Sequence, residues 1–491
     1  MMTGLSRSRS CRFRQGAVQS IVALLTGISV LGCTPNEAWR TEHPCSSPDC
    51  DQSFLVYHPD YDLAFVEFTE RGNLFDRTRK KMVVDHIAKL ARSENGVMAV
   101  VFVHGWKNNA EVTNANVADF RDLFHHAARV LQGKRRMVGI YVAWRGLSVK
   151  APGIKELTYW ERKTAAEQIG KGGVTELLLE LEHAVNDARA PNKNVYVVVG
   201  HSFGGGIVLS ALNEIMLERV VTALPVEGCE PASSSDCACV ETRPFGHGVI
   251  LLNPAIEANE ALQLKEAVGE RCFGPDQVRL MHVISSDADR ATNKAFRAGQ
   301  WLDMLSWKET QLERTLNDEA TRFDEHDLDT ITVGNYLPFQ TGQLCDGQLP
   351  EADRRPECRL NGRPSDCIQR SKAGDWDYVS YVGRAACVPA DDRPHHLPVQ
   401  SNEPLAFIQT DDAFIGDHSD VFTENVAAYL AAIVIESGFK RARSVDGSVD
   451  PEQFPEGCVL ETDTDLDFDF GSCFDAFQGR FERSQMADVS R

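Results

Sequence analysis

The 491-residue sequence has little positive charge. Lys and Arg total 51 against 71 Asp and Glu, so the formal net charge is −20. A protein that binds nucleic acid presents a basic face to the phosphates, and this deficit therefore argues against a nucleic-acid partner. The hydrophobic content of 43% is that of an ordinary globular protein. A chain of this length can form one large domain with insertions or two to three small ones.

The apolar run near the N-terminus, Ala17–Leu31, is too short to cross a membrane, which takes about 20 residues. Four arginines and no acidic residue precede this run: Arg7, Arg9, Arg12 and Arg14. A basic segment followed by a short apolar one is typical of a signal peptide. The sequence therefore predicts an exported protein.

The apolar run ends in Val30-Leu31-Gly32-Cys33, which resembles the lipobox of bacterial lipoproteins. The resemblance implies that residues 1–32 are removed and that Cys33 carries a lipid. The lipid would then anchor the protein to a membrane of the bacterial cell envelope. The alternative is an ordinary signal peptide in which Cys33 is incidental. Residues 33–55, which are polar and contain three prolines, are expected to form a tether.

The sequence has no pair of cysteines at C-x-x-C spacing, which disfavours a zinc site. Of its 14 cysteines, Cys11 lies in the signal peptide and Cys33 at the cleavage site. The remaining even number in an exported chain predicts disulfides. These cysteines lie in predicted loops and in the C-terminal tail rather than in core strands. Neither a metal nor another cofactor is expected.

Short apolar runs alternate with helical patterns from residue 62 to residue 435. The predicted strands are 62–68, 97–103, 137–144, 195–199, 248–252, 278–285 and 405–409. Such alternation predicts an α/β fold in which a doubly wound, mainly parallel sheet has helices on both faces. The carboxyl ends of the strands are where such sheets place their sites.

The expected domain covers residues 56–437, with cysteine-containing insertions near 224–246 and 326–403. The second insertion is expected to be irregular. Before it, residues 291–325 carry large apolar side chains, including Phe296 and Trp301, that predict a helix. Residues 438–491 are expected to form an acidic, cysteine-containing tail.

One strand leads into Gly200-His201-Ser202-Phe203-Gly204, a G-x-S-x-G motif that is followed at once by a helical pattern. This order makes a sharp strand-to-helix turn with the Ser202 hydroxyl at its tip. The glycines allow the strand and the helix to cross closely. We therefore expect Ser202 to be a nucleophile, the alternative being a glycine-rich turn in another doubly wound protein.

A serine nucleophile needs a base, and the base needs an acid that orients it. Asp287 and Asp289 follow the predicted strand 278–285, and His418 follows the last strand. His418 is preferred as the base over His395 and His396, which precede the last strand.

The acid remains open between the two aspartates. Asp289 is preferred because Asp289-Arg-Ala-Thr resembles the Asp-x-Ala-Leu that carries the acid in related bacterial hydrolases. The other aspartate, Asp287, could cap the helix that begins near Ala291. If neither aspartate serves, Glu257 is the next candidate.

An acyl-transfer site also needs backbone N–H groups that stabilise an oxyanion. Phe203, the residue after the nucleophile, offers one such N–H. The turn His104-Gly105-Trp106, which follows an earlier strand, offers the second, and Trp106 is the expected donor. His104 and His201 belong to the two motifs and are expected to be structural.

The motifs F-V-H-G-W-K-N-N, Y-V-A-W-R-G and V-G-H-S-F-G-G occur in this order on predicted strands. Together they resemble the α/β-hydrolase superfamily, and more narrowly the uncharacterised bacterial and fungal serine esterase/lipase-like hydrolases. The resemblance covers residues 60–290 well and 405–435 more loosely. It implies an exported esterase that acts on an ester substrate through Ser202, Asp289 and His418. Two alternatives stay open: a non-catalytic surface lipoprotein that keeps the fold as a binding scaffold, and an acyltransferase with the same three residues.

Overall fold

The structure is a computed structural model. It describes residues 36–46, 50–130, 135–148, 159–186, 194–226, 238–274, 276–297, 300, 310–316, 319–346, 359–360, 363–364, 376–380, 402–410, 412 and 414–446, with short pieces at 460–461, 466–467 and 473. Cys33, His395 and His396, and with them the predicted signal peptide, lie outside the described residues. So does Trp301 of the apolar segment.

A ten-stranded sheet forms the centre of the domain, and its strands in chain order are β1 (Leu55–Tyr57), β2 (Tyr61–Glu67), β3 (Val97–Val103), β4 (Arg136–Ala143), β5 (Val195–His201), β6 (Gly248–Leu252), β7 (Met281–Ser286), β8 (Gly342–Asp346), β9 (Trp376–Ser380) and β10 (Leu405–Thr410). Their order across the sheet is β1-β2-β4-β3-β5-β6-β7-β10-β8-β9. The eight inner strands are parallel, and the edge strands β1 and β9 are antiparallel to their neighbours. The predicted mainly parallel α/β sheet is confirmed.

Eight helices are assigned in the described residues: α1 (Arg77–Ala91), α2 (Ala115–Val130), α3 (Tyr159–Ile169), α4 (Thr175–Val185), α5 (Phe203–Val221), α6 (Asn259–Gly269), α7 (Glu325–Thr330) and α8 (Glu424–Asp446). Two hydrophobic clusters cover the sheet, one on each of its faces. Side chains of α1, α3, α4, α5 and α6 pack on one face, and those of α2 and α8 pack on the other. Along β3, Val101 and Val103 contribute to the first cluster and Phe102 to the second, as expected for a strand with both faces buried.

Two segments differ from the sequence-based expectation. The helix expected over 291–325 is wrong for its second half, where Gln311–Leu316 and Glu319–Asp324 form an antiparallel hairpin. The segment 326–403, expected to be irregular, contributes β8 and β9 to the central sheet.

Both ends of the domain also differ from expectation. Residues 39–46 and 50–55 are packed on the domain rather than extended as a tether: the backbone N–H groups of Trp39 and Arg40 donate to the Glu67 carboxylate at 2.9 and 2.8 Å. The Arg40 guanidinium lies 4.0 Å from the centroid of the Phe65 ring. At the other end, α8 continues to Asp446, so the expected boundary at residue 437 falls inside a helix.

Cys45 and Cys50 form a disulfide, with Cα atoms 5.8 Å apart, in agreement with the prediction of disulfides. No helix among the described residues is both long enough and apolar enough to cross a membrane.

Candidate active site

Three side chains that the sequence placed in one site meet at the carboxyl ends of neighbouring strands. Ser202 follows β5, Asp289 follows β7 and His418 follows β10, and these strands lie within one half of the sheet. Parallel strands present their carboxyl ends at one edge, which is where ligands bind in open α/β sheets. The topology therefore brings together residues that are separated by up to 216 positions along the chain.

Ser202 occupies the turn between β5 and α5 with φ of 57° and ψ of −124°. A non-glycine residue with positive φ is strained and persists only where its surroundings impose the conformation. The surroundings here are two glycines. A Cβ on Gly204 would lie 1.9 Å from the Val103 carbonyl oxygen, and one on Gly200 would lie 2.6 Å from the Gly204 carbonyl oxygen. The close crossing of strand and helix thus holds Ser202 in its strained conformation.

His418 connects the serine to the acid through both nitrogens of its ring. Its Nε2 lies 2.7 Å from the Ser202 Oγ, and its Nδ1 lies 2.7 Å from the Asp289 Oδ2. The carboxylate accepts, so the Nδ1–H donates to Asp289 and the bare Nε2 accepts from the Ser202 hydroxyl. This tautomer is the one that can remove a proton from Ser202.

Both carboxylate oxygens of Asp289 accept hydrogen bonds. Its Oδ1 accepts from the backbone N–H groups of Ala291 and Thr292 at 2.8 and 3.2 Å, while its Oδ2 accepts from the Thr292 hydroxyl at 2.6 Å and from His418. Burial raises the pKa of Asp289, but the hydrogen bond and charge of His418 and the hydrogen bonds of Thr292 outweigh it, so the net pKa is lowered. The carboxylate therefore stays ionised at neutral pH.

The other two candidates for the acid, Asp287 and Glu257, contact other residues. Asp287 was expected to cap the following helix, but Asp289 makes the cap, and the Asp287 Oδ1 accepts a hydrogen bond from the Gln409 Nε2 instead. Glu257 forms an ion pair with the Lys163 Nζ at 2.5 Å. Among the described residues, Asp289 is thus the acid bonded to His418.

The turn His104-Gly105-Trp106 lies directly against Ser202. A Cβ on Gly105 would lie 2.6 Å from the Ser202 Cβ and 3.2 Å from its Oγ, so only glycine fits there. His104 is fully buried, and burial lowers its pKa to about 4. Its neutral ring accepts from the Trp144 backbone N–H at 3.1 Å and donates to the Gly105 carbonyl oxygen at 2.9 Å. As expected, His104 connects two strand ends and does not contact the Ser202–His418 pair.

Two backbone N–H groups beside Ser202 have no acceptor in the described part of the chain. They belong to Trp106 and Phe203, the residues expected to donate to an oxyanion. Phe203 is the first residue of α5, where a backbone N–H has no partner within the helix. Both N–H groups can therefore donate to a charged oxygen without breaking an existing hydrogen bond.

Sequence reasoning missed Tyr159, the first residue of α3. Its ring packs against Trp106 at a centroid distance of 5.4 Å and an interplanar angle of 88°, and against Phe203 at 4.9 Å. It therefore contacts both residues whose backbone N–H groups are unpaired. The sequence holds no signal for this, because Tyr159 lies in no motif and the contact depends on how α3 packs.

Asn253 and His201 hold the loop that carries His418. The Asn253 Oδ1 accepts from the Ser286 backbone N–H at 2.9 Å, and its Nδ2 lies 3.5 Å from the Asp417 carbonyl oxygen. The His201 Nε2–H donates to the His418 carbonyl oxygen at 2.6 Å. Burial, and then the nearby His418, lower the pKa of His201 to about 3, so this ring is neutral. Sequence reasoning gave Asn253 no role, although it directly follows a buried strand.

The chain has no significant similarity to any protein-family model, curated protein or solved structure with which it was compared. Its function must therefore be argued from its own residues.

Proposed function

We propose that this protein is an exported serine hydrolase of the α/β-hydrolase superfamily that cleaves carboxylic esters. The observation that carries the proposal is the continuous hydrogen-bond chain from the Ser202 hydroxyl through His418 to Asp289, with a strained serine at a strand-to-helix turn. A hydrogen-bond network with a purely structural role would require neither a strained backbone at Ser202 nor a buried carboxylate that is hydrogen-bonded to a histidine. A nucleophile, a base and an orienting acid in this order are what acyl transfer requires.

The reaction follows from the geometry. The Ser202 oxygen attacks the ester carbonyl carbon while its proton passes to the His418 Nε2. The carbonyl oxygen becomes an oxyanion, and the backbone N–H groups of Trp106 and Phe203 stabilise it. The intermediate collapses and expels the alcohol, which takes the proton from His418. Water, deprotonated by His418, then attacks the acyl-enzyme and releases the acid and Ser202.

The ionised Asp289 holds the imidazole in the required tautomer and stabilises the imidazolium that forms in each step. Because the pKa of Asp289 is lowered, its carboxylate is ionised throughout the pH range in which a neutral histidine can act as a base.

A fluorophosphonate probe tests the proposal, because such probes phosphonylate activated serines. We expect label on Ser202 by mass spectrometry, and loss of both label and ester cleavage in Ser202→Ala. Ser93→Ala is the matched control, since Ser93 is an exposed serine whose hydroxyl donates to the Leu90 carbonyl oxygen. Label on a different serine, or neither label nor cleavage of any ester in the wild type, would contradict the proposal and favour a binding scaffold.

We further propose that Cys33 carries the lipid that anchors the protein to the cell envelope. The basic segment, the short apolar run and Val-Leu-Gly-Cys support this. We expect Cys33→Ser to remain unprocessed or to lose its membrane partitioning, as measured by fractionation and intact mass. A Cys33→Ser protein that is cleaved and membrane-bound as before would place the anchor elsewhere.

A further inference from the structure

A cleft of about 1340 Å³ opens beside His418. One wall is the segment 287–297, which begins two residues before Asp289, and a second wall comprises Asp412 and residues 416–419, which include His418. His326 and Thr330 of α7 complete the lining. The cleft thus lies between the two segments that supply the acid and the base. A group attached to the reacting ester could occupy it while the carbonyl carbon lies at Ser202.

Three cations line the first wall: Arg290, Lys294 and Arg297. Their spacing of four and three residues places them on one side of a helical turn. In the part of the chain that the structure describes, Arg290 and Lys294 have no ion-pair or hydrogen-bond partner, whereas Arg297 lies 3.4 Å from Asp327 at the surface. Arg290 and Lys294 lack a partner in the described residues although the protein has 20 more acidic than basic residues.

Three aspartates also line the cleft, and two of them already have protein partners. Asp287 accepts from the Gln409 amide, and the Asp417 Oδ1 accepts from the Ser419 backbone N–H at 2.7 Å. Asp412 is exposed. The unused hydrogen-bonding capacity of the cleft is therefore mostly that of donors on Arg290 and Lys294, with five N–H groups on the one and three on the other.

We propose that this cleft binds an anionic group of the substrate, so that the preferred esters carry a carboxylate or a phosphate on one side of the ester bond. This inference rests on the proposed ester hydrolysis. Arg290 and Lys294 can form charge-assisted hydrogen bonds to such a group, and arginine can bind it with two parallel bonds.

Two p-nitrophenyl esters with acyl chains of six carbons test the proposal: the neutral hexanoate and the anionic hydrogen adipate. The measured quantity is the ratio of kcat/KM for the anionic ester to kcat/KM for the neutral ester. For the detergent-solubilised wild type, we expect a ratio of at least about ten, which corresponds to one good charge-assisted contact. The ratio should fall as salt is added, because the contact lies near solvent.

Three variants separate charge from other effects. The triple variant Arg290→Gln, Lys294→Gln, Arg297→Gln should bring the ratio to about one, whereas Asp412→Asn with Asp417→Asn should raise it severalfold. Lys81→Gln is the matched control and should leave the ratio unchanged, because Lys81 is an exposed cation on α1, paired with Asp85. All variants are exposed substitutions whose folding is checked by thermal unfolding.

The outcomes are distinguishable. A wild-type ratio at or below one, or an unchanged ratio in the triple variant, overturns the anionic-group proposal while ester hydrolysis stands. If neither ester is cleaved and the fluorophosphonate does not label Ser202, the proposed function is wrong and this inference falls with it.

Discussion

The Ser202 Oγ and the His418 Nε2 lie 2.7 Å apart. The turn that carries Ser202 and the loop that carries His418 are nevertheless stabilised in different ways. The serine turn is held by packing, because Gly204 and Gly105 touch neighbouring backbone or Ser202 so closely that neither has room for a Cβ. The histidine loop is held by polar bonds: the Ser286 hydroxyl donates to the Ile415 carbonyl oxygen at 2.7 Å, and His201 donates to that of His418.

The exposure of the two residues matches this difference. Ser202 is 3% exposed, whereas the side chain of His418 is 24% exposed and borders the open cleft. The comparison teaches that Ser202 is fixed by steric contacts and has little freedom to adapt. His418 lies on a loop that hydrogen bonds hold beside the open cleft. Substitutions in the first region should therefore cost folding, and those in the second should cost turnover.

The largest effect is expected at the base. His418→Ala should lower kcat by roughly six orders of magnitude, as removal of the base does in a serine protease, while thermal unfolding changes little because the side chain is partly exposed. Hydrolysis of a p-nitrophenyl ester measures the loss. A greater loss in His395→Ala or His396→Ala than in His418→Ala would show that the base is one of those residues.

The second largest effect on turnover is expected at Asp289. Asp289→Asn should lower kcat by roughly four orders of magnitude, because an amide favours the wrong tautomer of His418. Asp287→Asn should leave kcat nearly normal, since the Asp287 Oδ1 accepts from Gln409 and the His418 Nδ1 is bonded to Asp289. The reverse result would assign the role to Asp287.

The lowered pKa of Asp289 adds a pH signature to the same variant. A carboxyl whose pKa is lower in the folded than in the unfolded protein stabilises the fold above its unfolded pKa, and this stabilisation is lost as the pH falls through the folded value. The difference in unfolding midpoint between wild type and Asp289→Asn should thus be full at pH 7 and shrink below about pH 4. A difference that is constant across this range would contradict the shifted pKa.

Two glycines test the contrast in how the regions are held. Gly204→Ala should lower the free energy of unfolding by at least about 4 kcal/mol, because its Cβ would meet the Val103 carbonyl oxygen. Gly416→Ala in the histidine loop should cost less than about 1 kcal/mol. There the nearest atom is the end of the Asp420 side chain at 2.9 Å, which can rotate away. If denaturant titration gave equal losses of unfolding free energy for the two variants, the two regions would not differ in how they are held.

Tyr159 tests whether packing also positions the oxyanion donors. Tyr159→Ala should lower kcat by roughly 10- to 100-fold at a nearly constant KM, because Trp106 and Phe203 lose a shared support. Tyr159→Phe should restore most of the activity, since it keeps the ring. Phe245→Ala is the matched control, because Phe245 packs on Tyr196 at the amino end of β5. A comparable loss of kcat in the control would indicate a merely structural role.

The smallest effect on turnover is expected at Ser286, which is fully buried and supports the histidine loop. Ser286→Ala leaves the Ile415 carbonyl oxygen without this donor and should cost about 1–2 kcal/mol of stability. It should lower kcat only severalfold, because His201 and Asn253 still hold the loop. A loss as large as that of Asp289→Asn would mean that the loop has no other effective support.

The sequence by itself determined the elements whose signals are local. Strands of five to eight residues that are buried on both faces read as continuous apolar runs, so β3, β5 and β6 could be predicted with nearly their observed bounds. The strand–turn–helix at Ser202 was predictable for the same reason, because its glycines and its hydrophobic periods are adjacent in the chain. The order of Ser202, Asp289 and His418 on strand ends was visible as well.

Only the tertiary structure decided what depends on contacts between distant residues. Asp287 and Asp289 both follow the same predicted strand and were both candidates, and the packing of β7 beside β10 determines which of them faces His418. Strands β8 and β9 lie in a segment without clear periodicity and become strands by pairing beyond β10. The contacts of Tyr159 with Trp106 and Phe203, and the cleft beside His418, likewise arise from packing. Hydrophobic periodicity reports which face of a segment is buried, but it carries no information about which partner buries it.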